Sequence, residues 1–470
     1  MEKINFDLLA RERDKWRNKN RYYHNTLQKI YSFFIPENEK VVEAGCSTGE
    51  LIAQLNPTRG LGIDISETAI ELANRKFSDR KNLEFIKADV EEFQSTEKFD
   101  YVILSDTVGY LNDIQNTFEN LRNIMTSHSR LIINFYNFVW EPIFRLAKFL
   151  GLKQKEPSQN WLSNNDMINL LELAGFEVIH REGFMIFPIY IPIISDILNG
   201  FFAKLPLIKH FTVAQFIVAR PIFPIDENEM PSVSVIVPAR NEAGNIESAA
   251  KRIPQLGSKT EIIFVEGGSS DNTWEEINRV KNLFSDKIIK ITQQDGTGKA
   301  DAVRKGFAMA GNEILMILDA DLTVPPEELS KFYNAIAKNK GEFINGVRLV
   351  YPMEKQAMRL LNLYGNKFFS LIFSYILGQN YKDTLCGTKV LRKSDYEKIA
   401  ANRKYFGEFD PYGDFDLIFG AAKLCLKTTQ IPIKYKSRTY GETNISRFTG
   451  GWLLLKMAWL GFLNFKWRLR

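Results

Sequence analysis

Two aspartates separated by one residue have the clearest chemical meaning in this sequence. Asp319 and Asp321 follow an apolar run, 314–318, that is typical of a buried strand. We expect the strand to include both carboxylates, which would then lie on one face at its carboxyl end, where open α/β sheets bind ligands. Such a pair can hold Mg²⁺ or Mn²⁺ against a diphosphate. The alternative is a pair of ordinary turn acids.

Polar loops follow the neighbouring predicted strands in this half of the chain. We predict strands over 232–238, 261–265, 287–292 and 314–323, and the loops after them can converge on one crevice. Lys299, which opens a predicted helix, could balance the charge of a diphosphate, with a solvated helix-start lysine as the alternative. The two glycines before it do not have the spacing of a phosphate-binding P-loop.

A glycine-rich turn organises the first half of the chain. A short strand at 41–44 leads into Gly45 and Gly49 and then into a predicted helix over 50–55. Glycines let the backbone approach a ligand closely, and a helix N-terminus offers free amides. The next predicted strands end in Asp64, in Asp89 and in Ser105-Asp106; an acid at the Asp64 position can accept hydrogen bonds from ribose hydroxyls. The alternation of strands and helices predicts a doubly wound parallel sheet.

Composition limits the classes of protein. At 470 residues, with 45% hydrophobic and 25% charged residues, the chain should form two or three globular domains. The net charge of +5 is too small to indicate nucleic acid by itself. Three cysteines without metal-ligand spacing indicate reduced thiols in the cytosol. We predict neither a signal peptide nor a clean membrane span; the best candidate, 184–202, is broken by two prolines, an aspartate and a glycine, and is more typical of an interfacial or buried segment.

The second half, over about residues 231–450, resembles the family 2 glycosyltransferases, which have the GT-A fold, and within them the dolichol-phosphate mannose synthases and bacterial polyprenyl-phosphate sugar transferases. The resemblance implies that Asp319 and Asp321 bind the metal, although Thr323 stands where a glutamine often completes the metal shell. It places Glu266, usually an aspartate, at the base or ribose. The residues assigned to the nucleotide sugar are Pro238, Ala239, Arg240, Asn241, Glu242, Glu266, Gly267, Lys299, Asp301, Asp319 and Arg438.

The same resemblance implies an acceptor side of the site. Arg348 and Arg359 occupy positions where the synthases place basic residues for an acceptor phosphate, with plain surface charge as the alternative. The segment 382–389 resembles the acceptor loop. For a hydroxyl acceptor, Asp414 is the first candidate for the general base and Asp416 the second. A phosphate acceptor is already anionic and needs little help from a base.

Residues 20–220 resemble the class I S-adenosylmethionine-dependent methyltransferases. The residues that this resemblance assigns to S-adenosylmethionine are Glu43, Gly45, Cys46, Ser47, Gly49, Asp64, Ile65, Asp89, Val90 and Ser105. It implies Glu43 near the methionine amine, Asp64 at the ribose and Asp89 at the adenine amine; Ser47 replaces a usual glycine. A nicotinamide site is less favoured because Gly-x-Gly-x-x-Gly is missing. Asp106 or His128 could serve as a base, but a loop acid and a surface histidine are the favoured interpretations.

The sequence therefore predicts an α/β protein of two doubly wound domains, a Rossmann-like methyltransferase fold followed by a GT-A nucleotide-sugar fold. The expected bounds are 1–220 for the first domain, 221–231 for a linker, 232–450 for the second and 451–470 for an amphipathic basic helix. That helix and the segment 356–377 are typical either of interface helices at a membrane or of core-docking helices.

The expected function is bifunctional: metal-dependent, inverting transfer from a UDP- or GDP-sugar to a polyprenyl phosphate or glycan, and S-adenosylmethionine-dependent methyl transfer, in cell-surface glycan synthesis. The expected place is the cytoplasmic, inner face of the cell membrane, as a peripheral protein with no nucleic-acid partner. One alternative makes the first half a non-catalytic cofactor-binding or scaffolding domain. A second makes the whole chain a non-catalytic interaction protein.

Overall fold

The computed structural model describes residues 6–154, 157–225, 228–351, 360–403, 413, 415–438, 440 and 447–467. The chain divides into two compact units. The first comprises Met1–Pro224 together with Phe465–Arg470, and the second comprises Ile225–Asn464. The division between Pro224 and Ile225 falls within the stretch that we predicted as a linker. Two predicted site residues, Arg359 and Asp414, lie outside the described residues.

The first unit contains a seven-stranded sheet in the order β3-β2-β1-β4-β5-β7-β6. Its strands are β1 (Lys40–Ala44), β2 (Arg59–Asp64), β3 (Leu83–Lys87), β4 (Phe99–Ser105), β5 (Met125–Tyr136), β6 (Phe176–Phe184) and β7 (Ala214–Pro221). The strands β1 to β5 pair in parallel, as predicted, but β7 is antiparallel to both of its neighbours. The central strands are buried on both faces, which explains their continuous apolar runs.

Helices cover this sheet. They are α1 (Phe6–Arg11), α2 (Arg13–Lys19), α3 (Arg21–Phe34), α4 (Glu50–Gln54), α5 (Glu67–Lys76), α6 (Ile114–Arg122), α7 (Glu141–Phe149), α8 (Asn164–Leu173) and α9 (Ile194–Gly200). Helix α8 begins with a capping box: the Ser163 hydroxyl accepts from the Asp166 amide, and the Asp166 carboxylate accepts from the Ser163 amide. Helix α3 buries Leu27, Ile30 and Phe34.

Residues from the end of the sequence complete the first unit. Lys466 forms an ion pair with Glu182 of β6, and both side chains are buried. The Phe465 ring lies 5.4 Å from the ring of Phe33. Burial alone would raise the pKa of Glu182, but Lys466 and Lys204 outweigh it and hold the pKa at about 2.

The second unit contains another seven-stranded sheet, in the order β10-β9-β8-β11-β13-β12-β14. Its strands are β8 (Val233–Ala239), β9 (Thr260–Glu266), β10 (Ile288–Gln293), β11 (Ile314–Ile317), β12 (Phe343–Val347), β13 (Lys389–Arg392) and β14 (Thr428–Pro432). Here β13 is the antiparallel strand, paired with β11 and β12. Ala239, Glu266 and Gln293 lie side by side at the carboxyl ends of β8, β9 and β10, so the loops that follow begin at one edge.

The helices of the second unit are α10 (Ala243–Arg252), α11 (Thr273–Leu283), α12 (Lys299–Met309), α13 (Leu329–Ala337), α14 (Leu360–Leu377), α15 (Lys393–Ala401), α16 (Phe415–Lys423) and α17 (Arg447–Phe462). Helix α17 begins before the predicted position 451 and continues into a π-helical turn, Leu463–Trp467. Within the described residues, we find no helix with both the length and the apolar character that a bilayer crossing requires.

Candidate functional sites

Asp319 and Asp321 lie beyond the strand on which we expected them. Strand β11 ends at Ile317; the Leu318 amide still donates to the Ile236 carbonyl at 3.0 Å, and the chain then turns. The turn closes when the Leu322 amide donates to the Asp319 carbonyl at 3.2 Å, with Leu322 at φ +51°. The two carboxylates therefore do not share a strand face, and each has its own cationic partner.

Asp319 pairs with Lys299. The Lys299 ammonium, at the first residue of α12, lies 2.7 Å from Asp319 Oδ1. Burial alone would raise the pKa of Asp319, but Lys299, with Lys389 and Arg348 farther away, outweighs burial and holds the pKa below its usual range. The second carboxylate oxygen faces Gly387 of the predicted acceptor loop, because a Cβ built on Gly387 would overlap Asp319 Oδ2.

Asp321 pairs with Arg438. Arg438 Nη2 lies 2.7 Å from Asp321 Oδ2, and Arg438 Nη1 lies 3.5 Å from Glu242 Oε1 in the loop after β8. The other oxygen of Asp321 accepts from the Thr323 hydroxyl at 2.8 Å and from the Thr323 amide at 3.1 Å. Thr323 therefore orients the carboxylate, and one guanidinium bridges two loops of the site.

Gly387→Ala is expected to lower donor turnover on the order of 100-fold. The added methyl group would overlap Asp319 Oδ2 and lie 2.5 Å from Lys299 Nζ, so the ion pair would have to move, and displacements of this size cost about that much in rate. Steady-state release of the nucleoside diphosphate would measure the effect.

Gly365→Ala in α14 is the matched control, because a Cβ there meets nothing within 4 Å. It should leave turnover unchanged. Equal turnover in the two variants would contradict the role of the Gly387 contact.

A cleft of about 330 Å³ opens at the carboxyl ends of β8, β9 and β10. Residues of the three following loops line it, namely Arg240, Glu266, Gly267, Gly268, Gln293, Gln294, Gly296 and Thr297. The Glu266 carboxylate accepts from the Ser269 amide at 2.5 Å and from Gln293 Nε2 at 3.2 Å. A carboxylate and two amide side chains beside flexible glycines can recognise the polar edges of a base or ribose.

Two predicted residues hold the walls of this cleft. Asn241 Oδ1 accepts from the Ser270 amide at 2.7 Å, which ties the loop after β8 to the loop after β9. Asp301 Oδ2 accepts from the Gly296 amide at 2.8 Å, which closes the loop that leads into α12. Pro238 and Ala239 end β8 and bring Arg240 to the cleft.

Arg348 is occupied by a partner that the sequence reasoning missed. Its Nε and Nη2 atoms donate to the two carboxylate oxygens of Asp383 at 2.7 and 2.8 Å, and its amide donates to the same carboxylate. Asp383 is fully buried and belongs to the predicted acceptor loop. This bidentate pair fixes the loop that carries Gly387, so the structure gives Arg348 a positioning role rather than that of a free phosphate clamp.

Asp416 is likewise engaged. Arg403 Nε lies 2.7 Å and Arg304 Nη2 lies 3.2 Å from Asp416 Oδ2. Both guanidinium groups contact Asp416 Oδ2, so a base at this position would first have to exchange these partners for an acceptor hydroxyl, which argues against Asp416 as the general base. Gly413, at φ +73°, approaches α12 closely: a Cβ on it would lie 2.7 Å from the Ala300 amide nitrogen.

The glycine turn of the first unit is as tight as predicted. Gly45 and Gly49 have φ of +77° and +78°, and a Cβ on Gly49 would lie 2.5 Å from the Phe85 ring. A Cβ on Gly45 would overlap the Thr107 hydroxyl, which donates to the Ala44 carbonyl at 3.1 Å. Ser47 has φ +48°, a conformation that glycine adopts without cost. This explains why a glycine would suit position 47.

Glu43 is buried at the end of β1 next to this turn. Its Oε2 accepts from the Ile52 amide at 3.0 Å. Burial raises the pKa of Glu43 to about 8, because few polar groups replace the lost water. Burial also raises the pKa of the neighbouring Cys46 thiol. A cationic ligand group beside Glu43 would favour its ionised form.

Asp64 ends β2, whereas Asp89 lies two residues beyond the end of β3, which we expected to reach it. Asp64 accepts from the Ser47 amide at 2.8 Å through Oδ2 and from the Ser66 amide at 2.9 Å through Oδ1. These bonds orient the carboxylate and leave lone pairs for hydroxyl donors. Asp89 Oδ1 accepts from the Glu91 amide at 2.9 Å. Beside them, Ile65 is exposed and Val90 is buried. Because β1, β2 and β3 are parallel neighbours, the residues that follow their carboxyl ends lie at one edge of the sheet.

Asp106 lies at the carboxyl end of β4, directly before Thr107. It has φ +54°, and its carboxylate accepts from the Tyr23 hydroxyl at 2.9 Å and from Asn134 Nδ2 at 2.6 Å. The pKa of Tyr23 lies well above its usual range, mainly because the side chain is buried and secondly because of the negative charge of Asp106. Since non-glycine residues with positive φ often cluster at functional sites, Asp106 becomes the stronger of the two proposed bases. His128 lies near the start of β5, at the opposite edge of the sheet.

The carboxylates after β11 can be compared with the metal ion that they are expected to bind. Within the described ranges, no three or more His, Cys, Asp or Glu residues converge as a metal cluster. The pair Asp319 and Asp321 nevertheless supplies the hard oxygen donors that Mg²⁺ or Mn²⁺ prefers, and Mg²⁺ sites commonly combine one or two carboxylates with substrate phosphates and waters.

Comparison with known proteins gives two family matches. Residues 234–400 match the model of glycosyl transferase family 2, and residues 35–177 match that of a methyltransferase domain. A dolichol-phosphate mannosyltransferase of Pyrococcus furiosus is 29% identical over 218 residues, covering 45% of this chain and 59% of that protein. An undecaprenyl-phosphate 4-deoxy-4-formamido-L-arabinose transferase of Proteus mirabilis is 34% identical over 103 residues, covering 21% of this chain and 32% of that protein. The match therefore spans less than two thirds of either relative.

Solved structures similar to this chain include a S-adenosylmethionine-dependent methyltransferase of Thermotoga maritima. It has 19% sequence identity and a TM-score of 0.37, covering 46% of this chain and 98% of the other.

Proposed function

We propose that this chain, which carries a methyltransferase domain and a family 2 glycosyltransferase domain, transfers a sugar from a nucleotide donor to a lipid-linked or glycan acceptor and a methyl group from S-adenosylmethionine. Both activities would serve cell-surface glycan synthesis. The observation that carries the glycosyl half is the double ion pair after β11, in which Lys299 and Arg438 neutralise Asp319 and Asp321. When a diphosphate binds, Lys299 and Arg438 would leave the two carboxylates and contact the diphosphate oxygens.

Different residues of the site would bind different parts of the nucleotide sugar. The cleft beside Glu266 would take the nucleoside, and Lys299 and Arg438 would contact the diphosphate oxygens. Asp319 and Asp321 would hold Mg²⁺ or Mn²⁺, which when bound offsets negative charge on the leaving diphosphate. The acceptor oxygen attacks the anomeric carbon from the face opposite the diphosphate; its new bond forms as the bond to the diphosphate breaks, with inversion.

The state of Asp416 favours an acceptor that needs no base. Two arginines engage its carboxylate, whereas a phosphate oxygen is already a nucleophile near neutral pH. The names of the two relatives, which specify dolichol phosphate and undecaprenyl phosphate, agree with a polyprenyl phosphate acceptor. Should the acceptor be a hydroxyl group, Asp414 remains the proposed base.

The proposal of methyl transfer is based on the glycine turn of the first unit and the acidic residues beside it. Glu43, Asp64 and Asp89 would hold the amine, ribose and adenine of S-adenosylmethionine, which supplies an electrophilic methyl group when bound. Asp106 would take the proton that an acceptor hydroxyl loses, and Tyr23 and Asn134 would keep its carboxylate oriented.

A membrane-surface location follows from the proposed lipid acceptor. Helices α14 and α17 pack against each other, and both carry exposed aromatic and aliphatic side chains, among them Tyr364, Phe368, Trp452 and Trp459. Aromatic residues beside lysine and arginine are typical of helices in a membrane interface. We therefore propose peripheral binding to the inner face of the cell membrane.

The test of the glycosyl half is a transfer assay with the purified chain. It uses a panel of UDP- and GDP-sugars, Mg²⁺ or Mn²⁺, and undecaprenyl phosphate in detergent micelles, with chelation of the metal as the control. Metal-dependent appearance of sugar on the lipid phosphate is expected. Donor turnover without a lipid product would indicate a hydroxyl acceptor, and the absence of metal-dependent turnover with every donor would contradict the proposal.

The methyl half is tested separately by titration calorimetry with S-adenosylmethionine. Binding in the micromolar range is expected, and its absence would favour the scaffolding alternative for the first unit.

A further inference from the structure

The first unit exposes an unusual amount of apolar surface on two neighbouring segments. Helix α7 buries none of its residues, and Ile143, Leu146 and Leu150 recur along one side of it, with Phe149 beside them 86% exposed. Spacings of three and four residues place side chains on one helix face. A monomeric soluble protein rarely leaves such a stripe open to water.

The second segment lies between β6 and β7. Ile193, Ile197 and Phe201 follow the same helical spacing along α9, and Leu207 is 81% exposed farther on. The segment also includes Phe211, which is exposed. We call the exposed side chains of the two segments, 139–150 and 193–211, the apolar face.

Hydrogen bonds join the two segments. The Trp140 indole donates to the Phe211 carbonyl at 2.8 Å. Asn137 Nδ2 donates to the His210 carbonyl at 2.7 Å, and the Asn137 amide donates to the Val213 carbonyl at 2.9 Å. The start of α7 is therefore fixed to the end of the second segment, so the two segments are neighbours in the fold.

The charges around this surface are mostly positive. Residues 137–153 and 186–212 contain five lysines and arginines and two acids. One of the five, Lys204, is buried near Glu182, which leaves four cations against the two acids. One of the acids, Glu141, forms an ion pair with Arg145, and Lys148 directly precedes Phe149 in the sequence. Apolar side chains flanked by lysine and arginine are complementary to anionic lipid head groups over acyl chains.

The apolar face borders the candidate methyl-transfer edge. The Phe144 ring of α7 lies 5.0 Å from the Tyr136 ring, which stacks on Tyr23 at 5.7 Å. Tyr23 in turn donates to Asp106. Three residues ahead of the second segment, the Tyr190 ring lies 5.2 Å from the ring of Tyr22. Two ring contacts in series and one hydrogen bond thus connect Phe144 of α7 with the Asp106 carboxylate.

We propose that the apolar face docks on an anionic membrane surface, so that the methyl acceptor reaches Asp106 from the lipid–water interface as a lipid-linked molecule. The identity of the acceptor rests on the proposed methyl transfer, whereas the docking does not. Insertion of the two stripes removes apolar side chains from water, and the flanking cations approach the anionic head groups.

A fluorescent label at position 149 tests the docking. Phe149→Cys in the full chain accepts an environment-sensitive label, because the natural cysteines Cys46, Cys386 and Cys425 are all buried. Vesicles of phosphatidylcholine and phosphatidylglycerol in equal parts should shift its emission to the blue, and added salt should weaken the shift. The same label on Leu173→Cys, an exposed position on α8, should not respond.

The expected binding change is at least tenfold. The double variant Leu146→Ser/Phe149→Ser, followed through a label on Leu207→Cys, should need about ten times more lipid for half-maximal response, whereas Leu173→Ser should not. If the protein bound the vesicles but the emission of the label at position 149 did not shift, binding would occur through another surface and the proposal would be overturned. A shift that depends on protein concentration without lipid would also overturn it, because it would assign the face to contacts between copies. Neither readout requires sugar or methyl transfer, so failure of the transfer assays would leave the docking intact.

Discussion

Asp321→Asn is expected to lower the metal-dependent turnover of the sugar donor by about 100- to 1,000-fold while the fold is kept. The amide retains an oxygen that can accept from Thr323, but it loses the negative charge that pairs with Arg438 and that would bind the cation. The remaining contact of Arg438 with Glu242, at 3.5 Å, keeps the guanidinium nearby. The defect should therefore appear in chemistry and metal affinity more than in stability.

The measurement is the rate of nucleoside diphosphate release over a range of Mn²⁺ concentrations. Asp295→Asn is the matched control: Asp295 is exposed and pairs with Lys305 at the surface, where ion pairs contribute about 0–1 kcal/mol. We expect the control to keep wild-type turnover. If the Asp321→Asn variant kept turnover within threefold of the wild type, the value would lie more than an order of magnitude above the expectation. The proposal that Asp321 binds the metal would then be wrong.

Glu43→Gln is expected to stabilise the protein at alkaline pH and to weaken its binding of S-adenosylmethionine. The pKa of Glu43 rises from 4.5 to about 8 in the folded chain because the carboxyl group is buried. Between these two values the folded chain keeps a proton that the unfolded chain has released, so stability falls as pH rises. At about 1.4 kcal/mol per pH unit, the loss by pH 9 is on the order of 4–5 kcal/mol.

The glutamine does not titrate and can still accept from the Ile52 amide through its carbonyl oxygen. The variant and the wild type should therefore unfold at similar temperatures near pH 5, and the variant should unfold at a higher temperature near pH 9. If Glu43 holds the methionine amine as proposed, the same change should weaken S-adenosylmethionine by about 100-fold, because the ammonium loses its countercharge.

Thermal unfolding across this pH range, with calorimetric titration of the ligand, measures both effects. Glu92→Gln is the control, since Glu92 is an exposed carboxylate of the same unit. If the difference in stability between Glu43→Gln and the wild type were the same near pH 5 and near pH 9, the proposed titration of Glu43 would be contradicted.

Features encoded in a few consecutive residues could be predicted from the sequence. The strand, glycine turn and helix around Gly45 and Gly49 formed as expected, since glycine alone adopts their backbone angles beside Thr107 and Phe85. The strand before Asp319 was predicted too long, because a continuous apolar run does not reveal where the chain turns away from its neighbour.

Contacts between distant residues could not be predicted. Arg348 meets Asp383 across 35 positions, and Arg304 meets Asp416 across 112. Opposite charges on loops have no periodicity, so several pairings were equally compatible with the sequence. The network of Tyr23, Asn134 and Asp106 was missed for the same reason, although the polar residues that end neighbouring strands gave a signal for part of it.

The ion pair between Glu182 and Lys466 sets an order of events during synthesis. Glu182 leaves the ribosome with the first unit, but Lys466 and Phe465 follow only after the whole second unit has been translated. Until then, the nascent first unit holds a buried carboxylate without one of its two lysine countercharges, which is costly for a buried charge. The first domain to be made therefore gains its last buried ion pair only after the second domain has been translated.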